Sequence, residues 1–173
     1  MIARLLDWVT RTLLVLAAVL GFLLSFIVVA DVIGRVAFDS PLKGTPEMVS
    51  TAIVMICFLQ AGYAIRSGGM INADFLLVRL PPRAQSWAMA TGAVLGVAFF
   101  ALVCWGAIDP AGHAWTSNEF EGEGALRVPS WPARFIVVMG AALAALSYAL
   151  VAVEHAVDGW RGRGPLRSGP SEA

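Results

Sequence analysis

The side chains in this sequence able to do acid–base, redox or metal chemistry are few, and their spacing keeps them apart. Cys57 and Cys104 do not form a Cys-x-x-Cys pair, and the two histidines are His113 and His155. A redox subunit of the disulfide–quinone kind needs paired cysteines, and haem held between helices needs histidines inside the apolar stretches. Neither pattern is present in the sequence. No nucleophile, base and orienting group fall together, so the chain is not expected to be an enzyme and is expected to carry no cofactor. What the charged residues can do is pair and steer. Asp31, Arg35 and Asp39 recur at four-residue intervals, the spacing that joins charges along one helix face. Glu119, Glu121 and Glu123 cluster in one segment, where they either sit solvated in a loop or steer a basic patch on a soluble partner.

The elements that position these groups are four stretches free of Asp, Glu, Lys, Arg and His: residues 12–30, 48–65, 84–108 and 135–153. A helix rises about 1.5 Å per residue, so the shortest, of 18 residues, spans about 27 Å, close to a hydrocarbon core of about 30 Å. Of the 173 residues 58% are hydrophobic and 14% charged, against about 25% charged in soluble domains. The stretches are continuously apolar and do not alternate, which excludes a β-barrel reading and makes each a helix with its amides satisfied internally. The fold class expected is therefore an all-α integral membrane protein with four transmembrane helices. Residues 1–160 form the membrane domain and residues 161–173, rich in Gly, Pro, Ser and Arg, a disordered cytoplasmic tail. The first stretch, at 19 residues, exceeds the apolar region of about 7–15 residues of a cleaved signal.

Formal net charge is zero, but the charges are distributed unevenly. Arg4, Arg11, Arg66, Arg79, Arg83, Arg161, Arg163 and Arg167 lie on one side of the crossings, and Arg35, Lys43, Arg127 and Arg134 on the other. Basic residues favour the cytoplasmic side, which puts both termini inside. Trp8, Trp87 and Trp160 at one edge and Trp105, Trp115 and Trp131 at the other make the aromatic belts of such a protein.

Local signals refine this picture. Small residues recur every four positions at Ala17, Gly21 and Ser25, at Gly92 and Gly96, and at Ala141, Ala145 and Ala149 with Gly140 and Ala144 alongside, as helix contact stripes do. Thr45 is expected to cap the second span, with Pro46 and Glu47 in its first turn, and Ser130 to cap the fourth. Glu47 is either such a helix-start residue or a docking residue. Asp109-Pro110 is expected to close the third span. The second connection, with Ile71, Phe75, Leu76 and Leu80 among polar residues, suits a short interfacial helix. Arg66 there marks topology, and Asp74 suits an interfacial helix start. Gln60 is a polar group near an inner edge, suited to an interhelical hydrogen bond or to snorkelling.

Three motifs carry a family resemblance. The run from Asp31 through Arg35, Phe38, Pro41 and Gly44 to Glu47 resembles the signature after the first helix of small permease subunits of tripartite ATP-independent periplasmic (TRAP) transporters. Tyr63-Ala-Ile-Arg66-Ser-Gly-Gly-Met70-Ile71-Asn-Ala-Asp74, followed by Leu80-Pro81-Pro82, is similar to a second family region, with Met70 where a His is frequent. Val128-Pro129-Ser130-Trp131-Pro132 is a weaker third match. The resemblance covers essentially the whole chain. It implies a small, non-catalytic subunit in a bacterial inner membrane, with both termini cytoplasmic. Its expected partners are a large permease subunit that carries the substrate and sodium sites, and a periplasmic substrate-binding protein. The system would take up an organic acid by symport. Asp31, Arg35, Phe38, Pro41, Gly44, Glu47, Arg66 and Asp74 are the candidate subunit-contact or motif residues. Glu119, Glu121 and Glu123 are the candidate periplasmic docking residues. The residues alone leave open an autonomous four-helix homo-oligomeric carrier or channel and, more remotely, the membrane anchor of a redox complex.

Overall fold

A computed structural model of the chain describes residues 2–40, 44–68, 81–121 and 128–160. The elements are α1 (Ile2–Phe38), α2 (Thr45–Arg66), α3 (Pro82–Ser117), a two-stranded antiparallel hairpin of β1 (Phe120–Glu121) and β2 (Val128–Pro129), and α4 (Trp131–Trp160). All four helices are long and apolar enough to cross a membrane. The apolar stretches read from sequence lie inside them, but α1 and α3, of 37 and 36 residues, run to about 55 Å, well beyond a hydrocarbon core of about 30 Å.

The helices pack in the order α1–α2–α4–α3, with α1 and α3 at the two flanks. Small residues place the contacts. A Cβ on Gly140 of α4 would stand 2.5 Å from the Phe58 carbonyl oxygen, so α4 meets α2 backbone to backbone there. One on Gly62 of α2 would stand 3.1 Å from Thr10 of α1 and 3.7 Å from the Ser147 hydroxyl of α4. Thr10 and Ser147 are fully buried and donate to the carbonyls of Leu6 and Leu143 on their own helices, so this three-helix junction holds no unpaired hydroxyl. On the other flank the Tyr148 ring covers Gly96 of α3 and stacks on Phe100 at 5.8 Å. Of the small-residue stripes, Ala17 is buried, Gly21 faces Ile56, and Ala141 and Ala144 are buried. Gly92 has nothing within 4 Å of a Cβ and faces open space. The Gly92–Gly96 pair therefore does not form one contact stripe within the chain.

The structure corrects three local readings. Gly44, not Thr45, is the N-cap of α2: its φ of 85° is a left-handed conformation that suits glycine, and Thr45 is the first helical residue. Pro110 does not close the third span; α3 continues through it to Ser117 and ends at Asn118, φ 48°. A proline ring crowds the carbonyl four residues earlier, which here belongs to Gly106, where a Cβ would also meet nothing within 4 Å. Asp39 is not a further rung of the charge ladder: with φ 48° it lies just past the end of α1, and Arg35 pairs with Asp31. Ser130 precedes α4 as expected, but its hydroxyl donates to the Glu119 carbonyl across the hairpin. The interfacial helix expected in residues 71–80 and the tail at 161–173 lie outside the described residues.

Candidate functional site

Functional side chains gather at the two ends of the helix layer. One end holds the start of α1 and the ends of α2 and α4, so it is the end at which the described chain begins and finishes. There Arg66 at the close of α2 donates to Asp7 of α1 at 2.8 Å through Nε and 2.7 Å through Nη2, and approaches Glu154 of α4 at 3.6 Å. The Arg66 side chain is 13% exposed, while both carboxylates are more than half exposed. Three helices are thus tied through one nearly buried guanidinium whose fork geometry suits two acids. Sequence reading gave Arg66 a topological role and missed Asp7 and Glu154. Nothing local marks contacts across such separations.

The other end holds the hairpin. Glu119 accepts from Arg134 Nη2 at 2.9 Å and lies 3.0 Å from His113 Nδ1, which joins the end of α3 to the start of α4. Arg134 also donates to the Pro110 carbonyl at 3.1 Å. Trp115 and Trp131 meet edge to face at 5.0 Å beside this cluster. Between α2, α3 and α4 a cleft of about 220 Å³ opens, lined among others by Ser50, Thr51, Pro110 and Arg134. Of the three acids singled out from sequence, Glu119 is engaged in this network, Glu121 is on β1, and Glu123 lies outside the described residues.

The motif residues after the first span are not gathered into one cluster. Asp31 is buried on α1 and accepts from exposed Arg35 at 2.8 Å. Phe38 is 76% exposed at the end of the same helix. Glu47 lies in the first turn of α2, where the positive end of the helix favours a carboxylate. Its Oε2 is shut from solvent with no hydrogen-bond partner among the described residues. Pro41 and Asp74 lie outside the described residues. Cys57 is exposed, Cys104 Sγ lies 3.7 Å from the Val138 carbonyl, and Gln60 is exposed on α2. Among the described residues no group of His, Cys, Asp and Glu could hold a metal ion.

The flanks of the layer are apolar. Phe22, Phe26, Val32, Ile33 and Val36 on α1, and Leu95, Phe99, Leu102 and Trp105 on α3, are all more than half exposed. Such surface is stable only against lipid or another membrane protein. Four apolar helices with polar ends define a multi-pass membrane protein. The sequence matches the family described as Tripartite ATP-independent periplasmic transporters, DctQ component, over residues 24–161, and the chain belongs to that family. It is thus the small membrane component of a TRAP-type transporter. No curated protein and no solved structure matches it.

Proposed function

We propose that the chain is a non-catalytic brace, which holds a large permease subunit in a bacterial inner membrane and offers part of the docking surface for a periplasmic substrate-binding protein. The observation that carries this reading is the division of labour in the layer. The four apolar stretches contain no Asp, Glu, Lys, Arg or His, while ion pairs tie the helices together at the ends. Ion pathways and proton relays are typically built on Asp, Glu, Lys, Arg or His within the membrane. A layer with apolar flanks and tied ends is suited to hold a neighbour in place.

On this reading the end with Arg66, Asp7 and Glu154 faces the cytoplasm, the side that an excess of arginines in the sequence favours. The hairpin end faces the periplasm. Glu119, Glu121 and Glu123 then present negative charge to the binding protein, and Asp31, Arg35 and Glu47 fix the outer ends of α1 and α2 against the large subunit. The cargo is an organic acid, moved by symport with sodium bound in the large subunit. The test is purification of the chain from native membranes, with Arg35→Ala beside it. The large subunit co-purifies with the native chain and less of it with the variant. Equal yields from both would remove Arg35 from the contact. Recovery of the native chain always alone would overturn the brace.

A further inference from the structure

One side of α1 lies against α2, marked by buried Leu6, Thr10 and Ala17. Its other side carries a regular strip. From Leu5 to Val36 exposed residues recur at alternating steps of three and four, through Trp8, Phe22, Phe26 and Ile33, without a missed step. The one polar member, Thr12, donates to its own helix at the Trp8 carbonyl, 2.9 Å away. A strict seven-residue repeat is the pattern by which one long helix packs along another at a crossing of about 20°. Between Arg11 and Asp31, about 30 Å of helix, lipid covers such a strip as readily as protein does. The ends of the strip decide. Leu5 lies about 9 Å before Arg11 and Val36 about 8 Å beyond Asp31, at the limit of headgroup layers about 5–7 Å deep. They are 67% and 82% exposed, and at those depths an apolar strip calls for protein cover.

The strip is about 47 Å long and runs through the membrane, so a soluble partner reaches only its outer end, while a second transmembrane helix covers all of it. Charge selects which helix. Arg4 and Arg11 flank the inner part of the strip along one edge, both exposed and without an ion-pair partner among the described residues. Charges that flank a seam choose its partner by pairing with opposite charges on the facing helix. Two copies of this chain share one topology, so their first helices would run parallel. That arrangement sets Arg4 and Arg11 of each copy against Val9 and Leu16 of the other and leaves all four arginines unpaired. We propose that the strip seats one long helix of the large permease subunit, with an apolar seam of its own and Asp or Glu opposite Arg4 and Arg11. The inference rests on the brace reading and names its contact surface.

The test uses membranes from cells that make the full chain together with the large subunit, with photoreactive benzoylphenylalanine placed at one position at a time. Phe22, Phe26 and Ile33 cross-link to the large subunit. Leu95 and Leu102 on the open flank of α3 are the comparison, being at least as exposed. Ile33→Ser with Val36→Ser lowers co-purification of the large subunit about tenfold. Arg4→Gln with Arg11→Gln lowers it about threefold, and Arg4→Lys with Arg11→Lys retains it. Each variant keeps the stability of the chain alone, because the side chains changed are exposed. The proposal is overturned, with the brace intact, if the large subunit co-purifies but α1 cross-links to a second copy or to nothing, or if only the α3 positions reach the large subunit. Undiminished co-purification with either the Ser pair or the Gln pair overturns it as well. A large subunit that never co-purifies with the native chain overturns the brace and the seam together.

Discussion

Among the described glycines the tightest position is Gly140, and alanine there is a sharp test of how the layer is held. The added methyl would stand 2.5 Å from the Phe58 carbonyl oxygen and 2.8 and 2.9 Å from Phe58 Cβ and carbonyl carbon. Ordinary contact begins at 3.4 Å, so α2 and α4 must part by about 0.9 Å (3.4 less 2.5) at this point. Two of the three atoms met are backbone, so no rotamer change relieves the clash. Overpacking of this kind costs about 1–3 kcal/mol, and contact with backbone belongs at the upper end. Alanine regains under about 1 kcal/mol as the better helix former. The net loss is about 2 kcal/mol, roughly thirtyfold in the folding equilibrium. The assay is detergent-induced unfolding of the full chain followed by tryptophan fluorescence. Gly92→Ala is the control, because a Cβ at Gly92 meets nothing within 4 Å, and it should leave stability unchanged or slightly higher. If Gly140→Ala is as stable as the control, the close crossing of α2 and α4 is wrong.

Four further outcomes are expected. Asp7→Asn and Arg66→Gln should be non-additive, with a coupling of about 1 kcal/mol in a double-mutant cycle, discounted for the exposure of Asp7. Purely additive losses would mean that the pair does not tie α1 to α2. Gly92→Leu should leave the isolated chain stable. If the open face of α3 meets the large subunit, it should also lower co-purification of that subunit; unchanged yield would place the contact elsewhere. Glu119→Gln removes the anchor of Arg134 and His113 and should raise amide exchange in the hairpin, with under about 1 kcal/mol lost overall because both partners are partly exposed; unaltered exchange would show the hairpin to be held otherwise. Neutralising Glu119, Glu121 and Glu123 together should weaken association with the binding protein and flatten its salt dependence, and the steering idea fails if both stay unchanged.

The four crossings were legible in the sequence because a bilayer imposes a long uncharged run, and such a run needs no knowledge of neighbours. The family was legible for a similar reason: its motif from Asp31 to Glu47 is local. Helix order was not. Gly140 and Gly92 both sit in small-residue stripes, yet one touches a neighbour's backbone and the other touches nothing. Which of the two is buried depends on how the helices pair, a long-range property. Pro110 read as a stop because proline usually ends helices, but α3 carries on through it to Ser117. Thr45 read as a cap on residue type, while the backbone at Gly44 took that position by its left-handed conformation. The clamp of Asp7, Arg66 and Glu154 joins helices distant in sequence, so only the packed layer brings its charges together, while His113, Glu119 and Arg134 meet where the hairpin turns the chain from α3 into α4.

The central claim is that this chain braces a transporter and moves nothing by itself. The direct measurement is uptake of a radiolabelled organic acid into sodium-gradient proteoliposomes, with substrate-loaded binding protein outside and the chain reconstituted either alone or with the large permease subunit. The account predicts uptake at the level of empty vesicles from the chain alone, and gradient-dependent uptake when the large subunit is present with it. Accumulation of the solute in vesicles holding only this chain would contradict it.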